Sequence, residues 1–153
     1  MPAWTGARRR AWVAVAAWAA LIAVFSSGWF SGTHTGGLLL PLLRGLLPWA
    51  SSEALGALHA LIRKTAHVVE YLILGVLLVR ALREEGLGGP ALASAAVALG
   101  IGYAALDELH QTFVPSRTGA PRDVAVDATG VVAGVAVAVR RRPAPGAGRR
   151  AEN

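Results

Sequence analysis

Titratable side chains gather in three short stretches of this chain, each set against a long apolar run. Arg63, Lys64, His67, Glu70 and Tyr71 form the first, with Lys64, His67 and Tyr71 at i, i+3, i+7 and Glu70 beside His67. Asp107, Glu108 and Gln111 form the second at i, i+1, i+4; Asp123 and Asp127 form the third at i, i+4, and Arg117 lies between the two. On helices these spacings put the members of each set on or near one face. Three chemistries suit the residue types. In a binding site, Arg63, Lys64 and Arg117 take a phosphate or carboxylate, Arg117 with bidentate geometry, while the acids position the cations and hydrogen-bond sugar or amide groups. In an acid–base site, His67 polarised by Glu70 is the general base, Asp107 or Glu108 the acid, and Lys64 and Arg117 stabilise developing negative charge. In a metal site, His67, Glu70, Asp107, Glu108 and His110 offer ligand types that suit Zn or Mn.

These readings are not equally supported. There is no cysteine, so a nucleophile must be oxygen or nitrogen; Thr112, Ser116 and Tyr71 are the candidates, and none sits in a nucleophile motif. The H-x-x-E spacing at His67 and Glu70 matches no ligand pair, so neither a metal nor another cofactor is expected. The bland alternative is that the same charges only latch helix ends together, which suits Arg63, Arg122 and Glu108 best. Buried ion pairs add little over apolar packing, because desolvation offsets their attraction. A latch alone gives no reason for His67, Glu70, Asp107, Gln111 and Arg117, and these read as a binding site ahead of a catalytic one. His34 and His59 are expected to be solvent-exposed in loops and are assigned no role.

The elements that must position these groups are apolar. The 153-residue chain is 54% hydrophobic with a mean hydropathy of +0.49, which is a membrane protein's composition. Its +6 net charge does not point to nucleic acid, because the arginines cluster at the ends of apolar runs without interleaved aromatics. Arg8, Arg9 and Arg10 precede a run from Ala11 to Phe25, long enough to span if extended to Phe30; the exit at Ser26 to Phe30 lacks an A-x-A cleavage site, so a span is expected ahead of a signal peptide. Leu38, Leu39, Leu40, Leu42, Leu43, Leu46 and Leu47 are interrupted by Pro41 and Pro48, which predicts short helical pieces, interfacial or re-entrant, anchored by Trp49. Ser51 or Ser52 caps a fresh helix with Leu55, Leu58 and Ile62 on one face, leading into a second span that closes at Arg80 and Arg83. A third span covers Ala91 to Leu106 and a fourth Val124 to Val139.

The expected architecture is therefore all-α: four transmembrane helices with an interfacial or re-entrant helical segment between the first and second. Ser94, Ala98 and Gly102 on the third span and Gly130, Gly134 and Ala138 on the fourth repeat small residues every fourth position, which predicts that these faces pack together. Pro115 to Pro121 makes the loop between them. Residues 1–139 form a single membrane domain, and 140–153 a basic, disordered tail. Placing both termini inside puts Arg8, Arg9, Arg10, Arg80, Arg83, Arg140, Arg141, Arg142, Arg149 and Arg150 on the cytoplasmic side, which satisfies the positive-inside tendency. The three polar stretches then face outward at one depth, where charged groups normally turn into the bundle and pair.

The patterns RKxAHxxEYxxLG at Arg63 to Gly75 and DExxQxFVPxRxGxxRDVxxDxxGxxxG at Asp107 to Gly134, together with FSS at Phe25 to Ser27, resemble the VanZ-like family of small bacterial membrane proteins. His110 occupies a spacer position, and Asp127 stands where some members have Asn. The resemblance implies a multi-pass protein of the bacterial cytoplasmic membrane, with a namesake associated with resistance to the glycopeptide teicoplanin. It carries no established reaction. The partners to be expected are membrane lipids and an anionic cell-envelope molecule, either a lipid-linked precursor or a lipoglycopeptide antibiotic, and not nucleic acid. The alternative is a membrane hydrolase or transferase acting on a lipid-linked substrate.

Overall fold

A computed structural model describes residues 6–115 and 121–141. Five helices follow one another: α1 (Gly6–Phe25), α2 (Gly32–Leu46), α3 (Ser52–Glu84), α4 (Gly89–Thr112) and α5 (Pro121–Arg140), with a single 3-10 turn at Gly28–Phe30 between the first two. No strand occurs among the described residues. The third helix is the centre of the bundle and packs against each of the other four, most extensively against α5.

The length of α3 comes from its ends. Ser51 caps it, its side chain accepting from the Ala54 amide at 3.1 Å, with Glu53 in the first turn, where both satisfy the positive helix terminus. At the other end Gly86, at φ +85°, allows Leu87 N–H to reach Leu82 O at 3.1 Å and Gly86 N–H to reach Arg83 O at 2.9 Å, the paired bonds of a Schellman stop. Between the caps there is no proline, so the capped helix and the second span run as one helix of 33 residues. That is roughly 50 Å of helix against about 30 Å of hydrocarbon. The buried face of its first half is Leu55 and His59, one turn apart, whereas Ile62 of the expected Leu55, Leu58, Ile62 stripe is exposed.

Pro41 does not break α2, which passes through it for 15 residues. Its ring leaves the Gly37 carbonyl, four residues back, without its usual helical donor. Pro48 does stop it, just after the cap at Leu47. The helix buries Leu43 and exposes Leu38, Leu42 and Leu46, a stripe of three at four-residue spacing turned outward.

The small-residue faces do not meet as their spacing suggests. Ser94, Ala98 and Gly102 are exposed, and α4 instead buries Leu92, Ala96, Gly100, Ala104, Glu108 and Gln111. Gly130 and Gly134 of α5 do mark a close approach, but toward α3: a Cβ on Gly134 would overlap the Leu72 carbonyl oxygen, and one on Gly130 the Val68 carbonyl oxygen. Gly75 answers from the α3 side, 2.6 Å from Val131 O by the same construction. Small residues allow close approach: Gly75, Gly130 and Gly134 bring α3 and α5 together at their backbones, and Gly100 of α4 receives the Val131 side chain of α5.

Two helices, α3 and α4, are long and apolar enough to cross a membrane; a third span is counted if α1 and the following Gly28–Leu46 segment, bent by 61°, are taken together. Arg122, Asp123 and Asp127 in α5 place a cation and two acids in its first two turns and keep it below that standard, although it packs along α3 and α4. Of the expected loop, residues 116–120 lie outside the described residues. So does the expected tail from residue 142 on; Arg140 ends α5.

Candidate functional site

Asp107 is the fixed point of the cavity end. It is 4% exposed, and its Oδ2 accepts from Ser26 Oγ at 2.7 Å, Tyr71 OH at 3.2 Å and Gln111 Nε2 at 3.1 Å. A buried carboxylate is tolerable only when hydrogen-bonded, and here the donors come from the residue after α1, from α3 and from the next turn of α4. Tyr71 is fully buried, its ring 6.3 Å from that of Tyr103, whose hydroxyl donates to Ala19 O at 2.6 Å. Trp18 adds a further tie from α1, donating to Glu70 O at 2.9 Å. Three helices are thereby held in one register beside the site.

Above this node lies a cavity of about 390 Å³, lined by Arg63, Lys64 and His67 of α3, Glu108 and Gln111 of α4, and Asp123 and Asp127 of α5, with Gly32, His59, Ala60 and Val126 completing the wall. Lys64 Nζ reaches Asp123 Oδ1 at 2.7 Å at the exposed rim. His67 Nδ1 stands 3.9 Å from Asp127 Oδ1 and 4.0 Å from Glu70 Oε2, beyond a hydrogen bond but close enough for attraction once the ring is protonated. Glu108 and Asp127 are both buried. The rim thus carries the Lys64–Asp123 pair beside Arg63, and the floor is acidic.

The remaining wall is a relay between α2 and α3. Arg63 Nη1 donates to Phe30 O at 3.2 Å and to Thr35 Oγ1 at 3.0 Å. Thr35 in turn donates to Ser31 O at 2.9 Å and lies 3.2 Å from His59 Nε2. A hydroxyl has one proton, so with the Thr35 proton on the Ser31 carbonyl the contact is a hydrogen bond in the His59 tautomer protonated at Nε2. Its 8% exposure corrects the expectation of a solvent-exposed loop histidine. His59, Arg63 and His67 recur every fourth residue along one face, a signal visible once α3 is read as unbroken. Ser26, Ser31 and Thr35 are polar residues of this network that spacing alone did not single out; Ser26 stood only within the FSS pattern.

Of the sequence-predicted residues, Arg63, Lys64, His67, Glu108, Gln111, Asp123 and Asp127 line one cavity. Glu70 lines an adjoining cavity of about 180 Å³ with Phe25, Phe30, Thr35 and Ala66, and this cavity shares Arg63 and His67 with the first. Tyr71 and Asp107 line neither and join the first through Gln111. Arg117 lies outside the described residues. The five proposed metal ligands do not converge: His110 is exposed while Asp107 and Glu108 are buried, and no group of three or more such side chains among the described residues is arranged to hold a metal. Nor is a hydroxyl presented to His67 by the described candidates, since Tyr71 donates to Asp107 and Thr112 to Leu109 O of its own helix at 2.7 Å. Ser116 is outside the described residues.

Apolar helices of membrane-spanning length, closed at one end around a charged cavity, define the class: a helical, membrane-embedded protein with a polar site between its helices. The VanZ/LLP1 family profile matches residues 11–142, most of the chain, and the protein belongs to that family. No curated protein and no solved structure matches it.

Proposed function

We propose that the cavity is an outward-facing binding site for an anionic component of the bacterial cell envelope, either a lipid-linked precursor or a lipoglycopeptide antibiotic, and that the protein contributes in this way to glycopeptide resistance of the teicoplanin type. The observation that carries the reading is the arrangement of charge around a cavity of about 390 Å³: Arg63 and Lys64 at the rim with buried acids behind them. A phosphate or carboxylate meets the cations first, and the acids and Gln111 accept from or donate to hydroxyl and amide groups farther in. Arg63 is held by Phe30 O and Thr35 Oγ1 through Nη1 alone, and no described residue takes its Nε and Nη2 protons, so its fork keeps donors for an anion.

The topology belonging to this reading has four spans, α5 included, with both termini in the cytoplasm and the cavity at the outer leaflet. Arg8, Arg9, Arg10, Arg80, Arg83, Arg140 and Arg141 lie at the end away from the cavity, in keeping with the positive-inside tendency. Asp127 of α5 is buried within the bundle and Asp123 is paired with Lys64, which lowers the cost of placing them at membrane depth. Because the chain has no cysteine, single cysteines at Ser51 and at Gly88 report sidedness directly; labelling of both from the same side would sink the topology.

Purified protein titrated with a polyprenyl phosphate and with teicoplanin tests the binding reading. Affinity for at least one of them, lost in Lys64→Ala and His67→Ala, together with raised susceptibility of cells carrying those variants, is the expected result. No affinity for either, with variants indistinguishable from the parent in susceptibility, would remove it.

A further inference from the structure

We infer that the polar cavity is the headgroup end of a longer track, and that its ligand is a single-chain anionic lipid entering sideways from the bilayer past Phe30. This rests on the binding reading above and narrows it to one ligand class. Three cavities share lining residues in sequence. The polar one, about 390 Å³, shares Arg63 and His67 with the one of about 180 Å³. That one shares Phe30 with a third of about 580 Å³, which is lined by Ala23, Val24, Ser27, Trp29 and Phe30.

The lining changes in step. Charged groups surround the first cavity, the second mixes Phe25, Phe30 and Ala66 with Thr35, Arg63, His67 and Glu70, and the third has no charged group among its described lining residues. That is the polarity profile of an amphiphile with its anion against Arg63 and Lys64 and its chain across Phe25 and Phe30. The middle cavity has less than half the volume of either neighbour, so it is the constriction and admits one chain more readily than two. Phe25 and Phe30 meet edge to face at 5.1 Å and 79°, and Phe30 is also held through its carbonyl by Arg63. The side chain that shapes the chain's path and the guanidinium that meets the anion are therefore fixed to each other. Trp29, 86% exposed, stands where an indole would sit at the headgroup level.

The probes are undecaprenyl phosphate and isopentenyl phosphate, which carry the same anion on a long and a short chain, titrated against the full-length protein in detergent or nanodiscs. Burial of two methylenes corresponds to about tenfold in affinity, so the long probe should bind at least about a hundredfold tighter. Ala66→Trp, which fills the constriction, should remove most of that difference while leaving affinity for isopentenyl phosphate unchanged. If this variant loses isopentenyl phosphate as well, Phe30→Ala decides, since it keeps the cations and removes one wall of the track. Equal affinity for the two probes, or a chain-length advantage untouched by both variants, would overturn the track and leave the polar cavity as a site for soluble anions. Failure of both probes to bind would overturn the track and, with it, the phosphate form of the binding reading.

Discussion

At the Glu85 end of the bundle, one carboxylate takes the Arg8 guanidinium and, at 2.8 Å, the Trp12 indole N–H, while Arg83 donates to Ala138 O at 2.9 Å. At the Asp107 end, buried acids stand behind a cavity with cations at its rim. The first arrangement is what latching needs: α1 is tied to the close of α3, and the last turn of α5 has a carbonyl capped by a cation. The second goes beyond latching. Asp107 alone ties three helices with neutral donors, and Glu108 and Asp127 are buried in addition, at a desolvation cost that apolar packing would not carry. The difference separates charge that holds helices from charge that lines a cavity and, on the proposed reading, meets a ligand.

Both ends depend on the glycine seam between them. Gly134→Leu should therefore abolish both together, leaving no folded protein by size-exclusion chromatography in detergent, because even a Cβ there overlaps the Leu72 carbonyl. A folded Gly134→Leu protein would show that α3 and α5 are not packed as described.

Next in size is Asp107→Ala, which orphans three buried donors. At about 1 to 3 kcal/mol for each unsatisfied group, the loss should reach about 3 kcal/mol or more in detergent unfolding. Asp107→Asn keeps an acceptor oxygen and should cost less. Tyr71→Phe removes one of the three bonds and should cost about 1 kcal/mol; a loss as large as that of Asp107→Ala would mean the hydroxyl does more than hold the carboxylate.

Lys64→Ala sharpens the comparison from the other side. Its bridge to Asp123 is half exposed, so stability should change by less than about 1 kcal/mol, while affinity for an anionic headgroup falls. Destabilisation without loss of affinity would class the rim with the latch. The smallest effect is expected at Glu85. The Trp12 hydrogen bond, then that of Arg8, holds its carboxyl below the usual value of 4.5. Its contribution is therefore complete above that value and lost as the pH falls through the depressed one. Melting curves of Glu85→Gln and the parent should differ at neutral pH and converge on acidification; a gap that widens in acid would reverse the assignment.

Much of this organisation was legible from residue types and spacing. His67, Glu70 and Tyr71 lie on one stretch of helix, and Asp107, Glu108 and Gln111 on another, because helical periodicity fixes what shares a face before any packing occurs. Ser51 was readable as a cap for the same local reason. The small-residue repeats announced close helix contacts but not between which helices: Gly130 and Gly134 met α3, and the Ser94, Ala98, Gly102 face met none of the described helices. A repeat names a face and not its partner.

By itself, then, the sequence determined the helical class, the apolar lengths, the cap at Ser51 or Ser52, and the polar sets at Arg63 to Tyr71, Asp107 to Gln111 and Asp123 to Asp127, since each follows from backbone propensity or from a period of about 3.6 residues. Only the tertiary structure decided that Ser26 and Tyr71 converge on Asp107, that His59 is buried against Thr35, and that Arg63 and His67 line both the larger polar cavity and the smaller one beside it, which holds Phe25 and Phe30. Those facts join residues as many as 81 positions apart. No local rule reaches that far, because the contacts depend on which helix faces fit, and that is settled by where glycine lets two backbones come together.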